Sequence, residues 1–268
     1  MAQADSETGA LLLSREGGLA IIAINDPPWN LMSTEFMDEL ETLVPRLAED
    51  HSVRSIVITG AGDQNFSAGM NLKQLMGNLG STAQLEALFD QRLRVLSAIE
   101  NLGKPVVAAL FGNCLGGGLE LPMACHFRLA AEQGCKIGLP EMDLGSVPAW
   151  GGSARLTRLV GRMHALDMIL RGKTIDGPEA YRIGLVNEVV ANDQLQARAL
   201  ELGRELAAAP PLAVSEIMPV IIKGADLSQE ESLRMERQAV LNTLGGAENQ
   251  EGMMAFLEKR KPVFQDRN

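Results

Sequence analysis

Three consecutive glycines, Gly116 to Gly118, stand just ahead of Glu120 in the otherwise apolar stretch NCLGGGLELPMACHF, residues 113–127. Glycine inside a helix costs about 1 kcal/mol relative to alanine. An acid among apolar neighbours is also costly unless it is paired or used. Local penalties of this kind gather at functional sites. Backbone at a helix start presents unpaired N–H groups reinforced by the helix dipole, which suits an anion or a developing oxyanion. A tight strand-to-helix turn that needs glycine for steric reasons would look the same, and this segment alone leaves both readings open. A second glycine turn, FSAGMNL at 66–72, also follows a probable strand. Two such turns could each offer one N–H to a single carbonyl oxygen. A two-donor hole of that type stabilises an enolate or tetrahedral oxyanion, and losing one donor costs about 3 kcal/mol.

Two acids are candidates for proton transfer. Glu120 lies three residues after Gly117, on the same face of a helix. Glu141 follows Pro140 in IGLPEMDLG, where a strand gives way to a loop. Neither has an oppositely charged sequence neighbour, so burial would raise its pKa into a useful range; solvated surface acids are the alternative. His51, His126 and His164 fit no metal-ligand spacing, and a structural role suits His126, the one near the glycines. No GxSxG elbow supports a hydrolase triad. Asn65-Phe66-Ser67 matches a glycosylation acceptor that matters only on secretion. Gly172-Lys173-Thr174 resembles a P-loop end, but Asp167 occupies the required upstream glycine position.

The elements that must hold these groups follow from periodicity. LAIIAIN (19–25), RSIVIT (54–59) and PVVAAL (105–110) have the length and composition of buried strands. Shorter strands are expected at 127–131, 135–138 and 184–190. Helical spacing marks 34–50, with Ser33 or Thr34 as cap, and a helix following Ser81-Thr82. After about Gly151 the chain reads mostly as helices, at 165–171, 177–183, 193–209, 212–223 and 228–244. Strands alternating with helices predict an α/β core with crossover units. Residues 1–200 are expected to form that body and the substrate site, and residues 201–268 a helical C-terminal region.

With 268 residues and 46% hydrophobic content the chain can bury a full core. A formal net charge of -10 argues against nucleic acid as a partner. No apolar run approaches the roughly 18 residues of a membrane span, and the first residues lack the marks of a signal or transit peptide. Cys114, Cys125 and Cys135 have neither CxxC nor zinc spacing and are expected to be reduced, packed thiols. A cytoplasmic protein is the expectation.

The ordered set FSAGMNL, NCLGGGLELPMAC and IGLPEMDLGSVPAWGGSARL resembles the crotonase family, and within it the enoyl-CoA hydratases. The resemblance runs from about Leu11 to Phe264 and takes in DPPWNLMS and EGMMAFLEKRKPVF. It implies an α/β spiral of ββα units with a helical C-terminal trimerisation region, and trimers or paired trimers. It also implies an acyl-CoA thioester substrate, and no metal or redox cofactor. The family's two amide donors fall on Met70 and Gly117. Ala68, Asn71 and Leu72 fall on the adenine and pantetheine path, Trp29 on a segment that touches CoA, and Lys259 on a basic residue that approaches the CoA phosphates, often from a neighbouring subunit. Glu120 and Glu141 match both acids of the hydrating members.

Relatives that isomerise double bonds, cleave carbon–carbon bonds or dehalogenate commonly change one or both acids, so hydration leads over those reactions and over a non-catalytic RNA-binding relative. Three departures stand out. Ala149-Trp150 replaces glycine and a small residue beside the reacting centre, where the indole either reshapes the acyl pocket or packs elsewhere. His126 replaces a common aspartate. One extra residue lies between the acids, around Glu132 to Gly134.

Overall fold

Every residue of RSIVIT from Ser55 onward is buried, as a strand covered on both faces requires. In the computed structural model, which describes residues 3–6, 9–77 and 80–264, this strand, β4 (Ser55–Gly60), lies at the middle of a seven-stranded sheet. The others are β1 (Gln3–Ser6), β2 (Leu11–Glu16), β3 (Leu19–Ile24), β5 (Val106–Leu110), β7 (Phe127–Ala131) and β9 (Glu188–Val190), in the order β1-β2-β3-β4-β5-β7-β9. The first three strands pair antiparallel; from β3 onward the pairing is parallel, with Ile22 opposite Ile58 and Ile58 opposite Ala108.

A second layer runs alongside. β6 (Asn113–Leu115) and β8 (Lys136–Gly138) pair in parallel, and single bridges extend the row: Met32 to Met70, Ser67 to Cys114, and Ile137 to Ile175. Each turn of the chain thus sends one strand into the large sheet and one short segment into this row, giving the mixed α/β crotonase-type spiral that the sequence leads one to expect. The row matters for function because it places the two glycine turns side by side.

Helices α1 (Thr34–Glu49) and α3 (Thr82–Glu100) pack together, with the short α2 (Leu72–Gly77) between them in sequence. Ser33 caps α1 by accepting from Phe36 N–H, and Ser81 with Gln84 forms a capping box on α3. The glycine run opens α4 (Gly117–Ala124), and a 3₁₀ turn spans Pro140–Leu144. Then come α5 (Gly152–Leu170), α6 (Gly177–Arg182), α7 (Leu195–Ala207), α8 (Pro211–Gly224), α9 (Gln229–Thr243) and α10 (Ala247–Leu257). Position 200 falls inside α7, which lies against β4, β5 and β7. Ser55 Oγ donates to Gly203 O at 2.6 Å, tying that helix to the sheet.

Several elements differ from the sequence expectation. The helix expected at 165 begins at Gly152 and continues through a break at Gly161, whose φ of 78° interrupts the regular spacing. The strand expected over 184–190 is confined to the three residues that find partners in β7, because Gly184 closes α6 with φ 81°. β2 and α10 were not anticipated. Among the described residues no single helix is long and apolar enough to cross a membrane. All three cysteines are buried and none forms a disulfide.

Candidate active site

The site lies where β4, β6 and β8 run out at their carboxyl ends. Past β4 the chain loops back so that Ser67 bridges Cys114 and Met70 bridges Met32. Gly69, with φ 96°, turns the backbone between those two bridges. Leu115 N–H donates to Ser67 O at 3.1 Å, and a methyl on Gly69 would stand 3.4 Å from Gly117 N, so the two glycine turns lie side by side. Among the described residues neither the Met70 nor the Gly117 N–H has an acceptor. Both residues line one cavity of about 430 Å³, which Glu120 and Glu141 also line. The two turns and two acids picked out by residue type therefore share one site.

Glu120 is 2% exposed. Its Oε1 accepts from Trp150 N–H and from Gly152 N–H, each at 2.8 Å. Gly152 is the first residue of α5, so the carboxyl sits at a helix N-terminus, where negative charge is favoured. Glycine is needed there: a methyl on Gly152 would stand 2.7 Å from Glu120 Oε1. Burial nevertheless dominates. Desolvation pushes the carboxyl up to about 7, the two N–H bonds oppose this, the neighbouring Glu141 charge adds to it, and Arg155 pulls it down. Glu141 sits in the 3₁₀ turn with its pKa raised by burial as well. Its Oε2 is buried without a hydrogen-bond partner, an unusual state for a carboxyl oxygen and one that fits an atom kept for a ligand.

Trp150 is buried at 2% exposure. Its indole both lines the cavity and packs on the glycine turn: a methyl on Gly117 would meet Trp150 Cζ3 at 2.4 Å. Of the two placements posed for this residue's indole, the structure has the one at the cavity rather than one packed elsewhere. Its carbonyl accepts from Arg155 Nη1 at 2.9 Å, and Arg155 donates from Nη2 and Nε to Glu100 Oε2 at 2.8 and 3.1 Å. Arg155 and Gly152 escaped the sequence reading. A pair of glycines ahead of a helical run was the available signal, hidden because that run was placed too late.

The remaining candidates divide. Ala68 and Leu72 line the cavity. Trp29 is exposed and accepts the Ala68 N–H at its carbonyl, which sets it beside the same loop without entering the cavity wall. Asn71 accepts from Gln74 N–H at its side chain and shapes the start of α2. Lys259 is exposed after α10 and is not among the residues that line this cavity. His126 is structural. Its Nδ1 accepts from Val106 N–H at 3.0 Å and its Nε2 faces Glu100 O at 3.2 Å, the arrangement of a neutral ring protonated on Nε2. Burial lowers its pKa. Among the described residues no three His, Cys, Asp or Glu side chains are grouped to hold a metal ion.

The enoyl-CoA hydratase/isomerase family profile matches residues 14–267. A probable enoyl-CoA hydratase of Bacillus subtilis is 37% identical over 260 residues, which cover 95% of this chain and 98% of that protein. The chain belongs to the enoyl-CoA hydratase/isomerase family. The crotonyl-CoA hydratase of Syntrophomonas wolfei is 36% identical over 257 residues, covering 95% and 97% of the two chains. A crystal structure of the enoyl-CoA hydratase of Geobacillus kaustophilus superposes with a TM-score of 0.93 at 30% identity, covering 99% of each chain. For a member of the enoyl-CoA hydratase/isomerase family, the cavity between the two glycine turns is the place to look for thioester chemistry. The family spans more than one reaction, so the side chains facing that cavity have to decide among them.

Proposed function

We propose that the protein is an enoyl-CoA hydratase, adding water reversibly across the 2,3 double bond of an enoyl-CoA thioester. The observation that carries this reading is the pairing of two carboxyls of raised proton affinity with two unpartnered amides in one cavity. In the proposed reaction the thioester oxygen accepts from Met70 N–H and Gly117 N–H, which draws electron density from C3. Glu120, fixed through Oε1 and left with Oε2 for water, takes a proton as the water oxygen bonds to C3. The enolate oxygen rests on the two amides, and Glu141 delivers a proton to C2. The reverse direction begins with Glu120 protonated and Glu141 ionised. Burial raises the proton affinity of both acids, and the Glu141 charge adds to the rise at Glu120, so each can hold a proton in its turn.

The chemistry uses only amides and carboxyls of the chain and calls on no metal or redox cofactor. Ala68 and Leu72 are assigned to the pantetheine path, with Trp29 and Asn71 supporting the same loop. Lys259 is assigned to the CoA phosphates of a neighbouring subunit, in a homotrimer or pair of trimers built through the helical region beyond residue 200. Exposed apolar side chains there, including Phe256, Leu257 and Leu244, support such contacts. A cytoplasmic location completes the proposal.

The test is a panel of thioesters with trans-2-enoyl, 3-enoyl and β-dicarbonyl acyl groups. Hydration of crotonyl-CoA is expected to dominate, and Glu141→Gln is expected to lose roughly 100- to 10,000-fold in kcat, the range of one general acid. Turnover of only the 3-enoyl or β-dicarbonyl members would move the assignment to another reaction of the family. Salt-sensitive RNA binding without turnover would remove it.

A further inference from the structure

Trp150 is held more firmly than a cavity wall needs. Its N–H is bonded to Glu120 and its carbonyl to Arg155, which is itself buried and clasped by Glu100. The next residue, Gly151, sits at φ 93° in the cap of α5. The indole is 2% exposed, and three atoms of its six-membered ring, Cζ3, Cη2 and Cε3, would lie 2.4, 2.7 and 3.0 Å from a methyl on Gly117. A ring so enclosed cannot swing into solvent without opening the core around it. Other side chains that line the same cavity are different. Met76 is 71% exposed, Leu144 64% and Val147 59%. The cavity is rigid and crowded beside Gly117 and open toward these three side chains.

We propose that Trp150 is the specificity-determining residue of the site, a fixed wall beside the first carbons of the acyl group that admits linear 2-enoyl thioesters and turns away those with a substituent on C2. This rests on the reading that Gly117 N–H holds the thioester oxygen. With the oxygen there, the carbonyl carbon and C2 are the acyl atoms nearest the Gly117 backbone, where the indole lies. Trp150 lines the same cavity as Glu120, the acid assigned to C3, which sets the wall on the acyl side of the carbonyl rather than the sulfur side. A methyl on C2 would have to occupy space that the benzo ring already fills. Chain length is governed elsewhere, because the exposed side chains at the open end can move aside.

The experiment compares crotonyl-CoA with 2-methylcrotonyl-CoA in kcat/KM, and butyryl-CoA with 2-methylbutyryl-CoA in Kd by calorimetry. The saturated pair cannot be hydrated, so it reads the wall without the reaction. The wild-type protein is expected to discriminate against the methyl by about 10- to 200-fold, the range one such group commands in an apolar pocket. Trp150→Ala should bring both ratios close to one, chiefly by gaining on the branched member. Trp150→Phe, which keeps an aromatic ring but withdraws the benzo edge from Gly117, should fall between and covers the case in which the alanine variant does not fold. Equal handling of both members by the wild-type protein, or ratios unchanged in the variants, would overturn the proposal. If crotonyl-CoA is not hydrated but the Kd ratio holds and collapses in the variants, the hydratase reading fails while the wall stands.

Discussion

Replacing Glu120 with glutamine should remove the reaction and strengthen the fold at once, with a pH dependence that sets the two effects apart. Burial raises this carboxyl from 4.5 to about 7. A shift of that size means that the folded protein favours the protonated form by about 3 kcal/mol. The sign follows from proton uptake. Below pH 4.5 the group is protonated folded or unfolded and imposes no penalty. Between there and pH 7 the unfolded chain releases its proton first, so stability falls as pH rises; above 7 the full penalty applies. Glutamine stays neutral throughout, and its side-chain oxygen can still accept from Trp150 N–H and Gly152 N–H. Glu120→Gln is therefore expected to match the wild-type Tm near pH 4 and exceed it at pH 8. The ceiling is roughly 6 °C, taking about 2 °C per kcal/mol for a chain of this size. Loss of the base should cost about 100- to 10,000-fold in kcat. Thermal unfolding at fixed protein concentration across this pH range, alongside hydration assays, measures both. A Tm difference that does not vary with pH would contradict the burial argument, and a near-normal kcat would contradict the assigned role.

Two further perturbations probe the parts around that acid. Gly117→Ala puts a methyl 2.4 Å from Trp150 Cζ3, so the ring or the start of α4 must shift and carry the amide out of line; kcat is expected to fall about 100- to 1,000-fold, as for loss of one oxyanion donor, and steady-state kinetics showing an intact kcat would refute the donor assignment. Arg155→Met removes a charge that lowers the Glu120 pKa, so the acid limb of the kcat/KM profile should move to higher pH, and a limb that stays in place would show that Arg155 does not act through this carboxyl.

The residues of the site were more legible than the structure that holds them. Glu120 and Gly117 could be paired from spacing alone, because a helix start fixes how three residues relate. Glu141 was visible as an acid without partners at a strand exit. What no single segment could disclose was which backbone groups would bind Glu120, since Trp150 and Gly152 lie some thirty residues away and meet it only after the chain has completed another turn of the spiral. The helices followed a similar rule. α1 and α3 carry side-chain caps, and the start of each, with the end of α1, was read to within a residue or two. α5 opens on glycines without a side-chain cap and breaks at Gly161, so its first half was taken for loop. Lys259 was placed by its motif alone: it does not line this cavity of its own subunit, and no single segment tells which subunit it would serve.

The turn from Ala149 to Gly152 does two things that are usually separate. It presents the indole to the incoming acyl group, and it supplies both amides that grip the acid expected to activate water. Any exchange of this turn intended to broaden the range of accepted molecules will also change how readily that acid gives up its proton. Glu141 stands on another turn with no such tie. An engineer could retune Glu141 without disturbing the indole, but must adjust Glu120 together with the shape of the pocket.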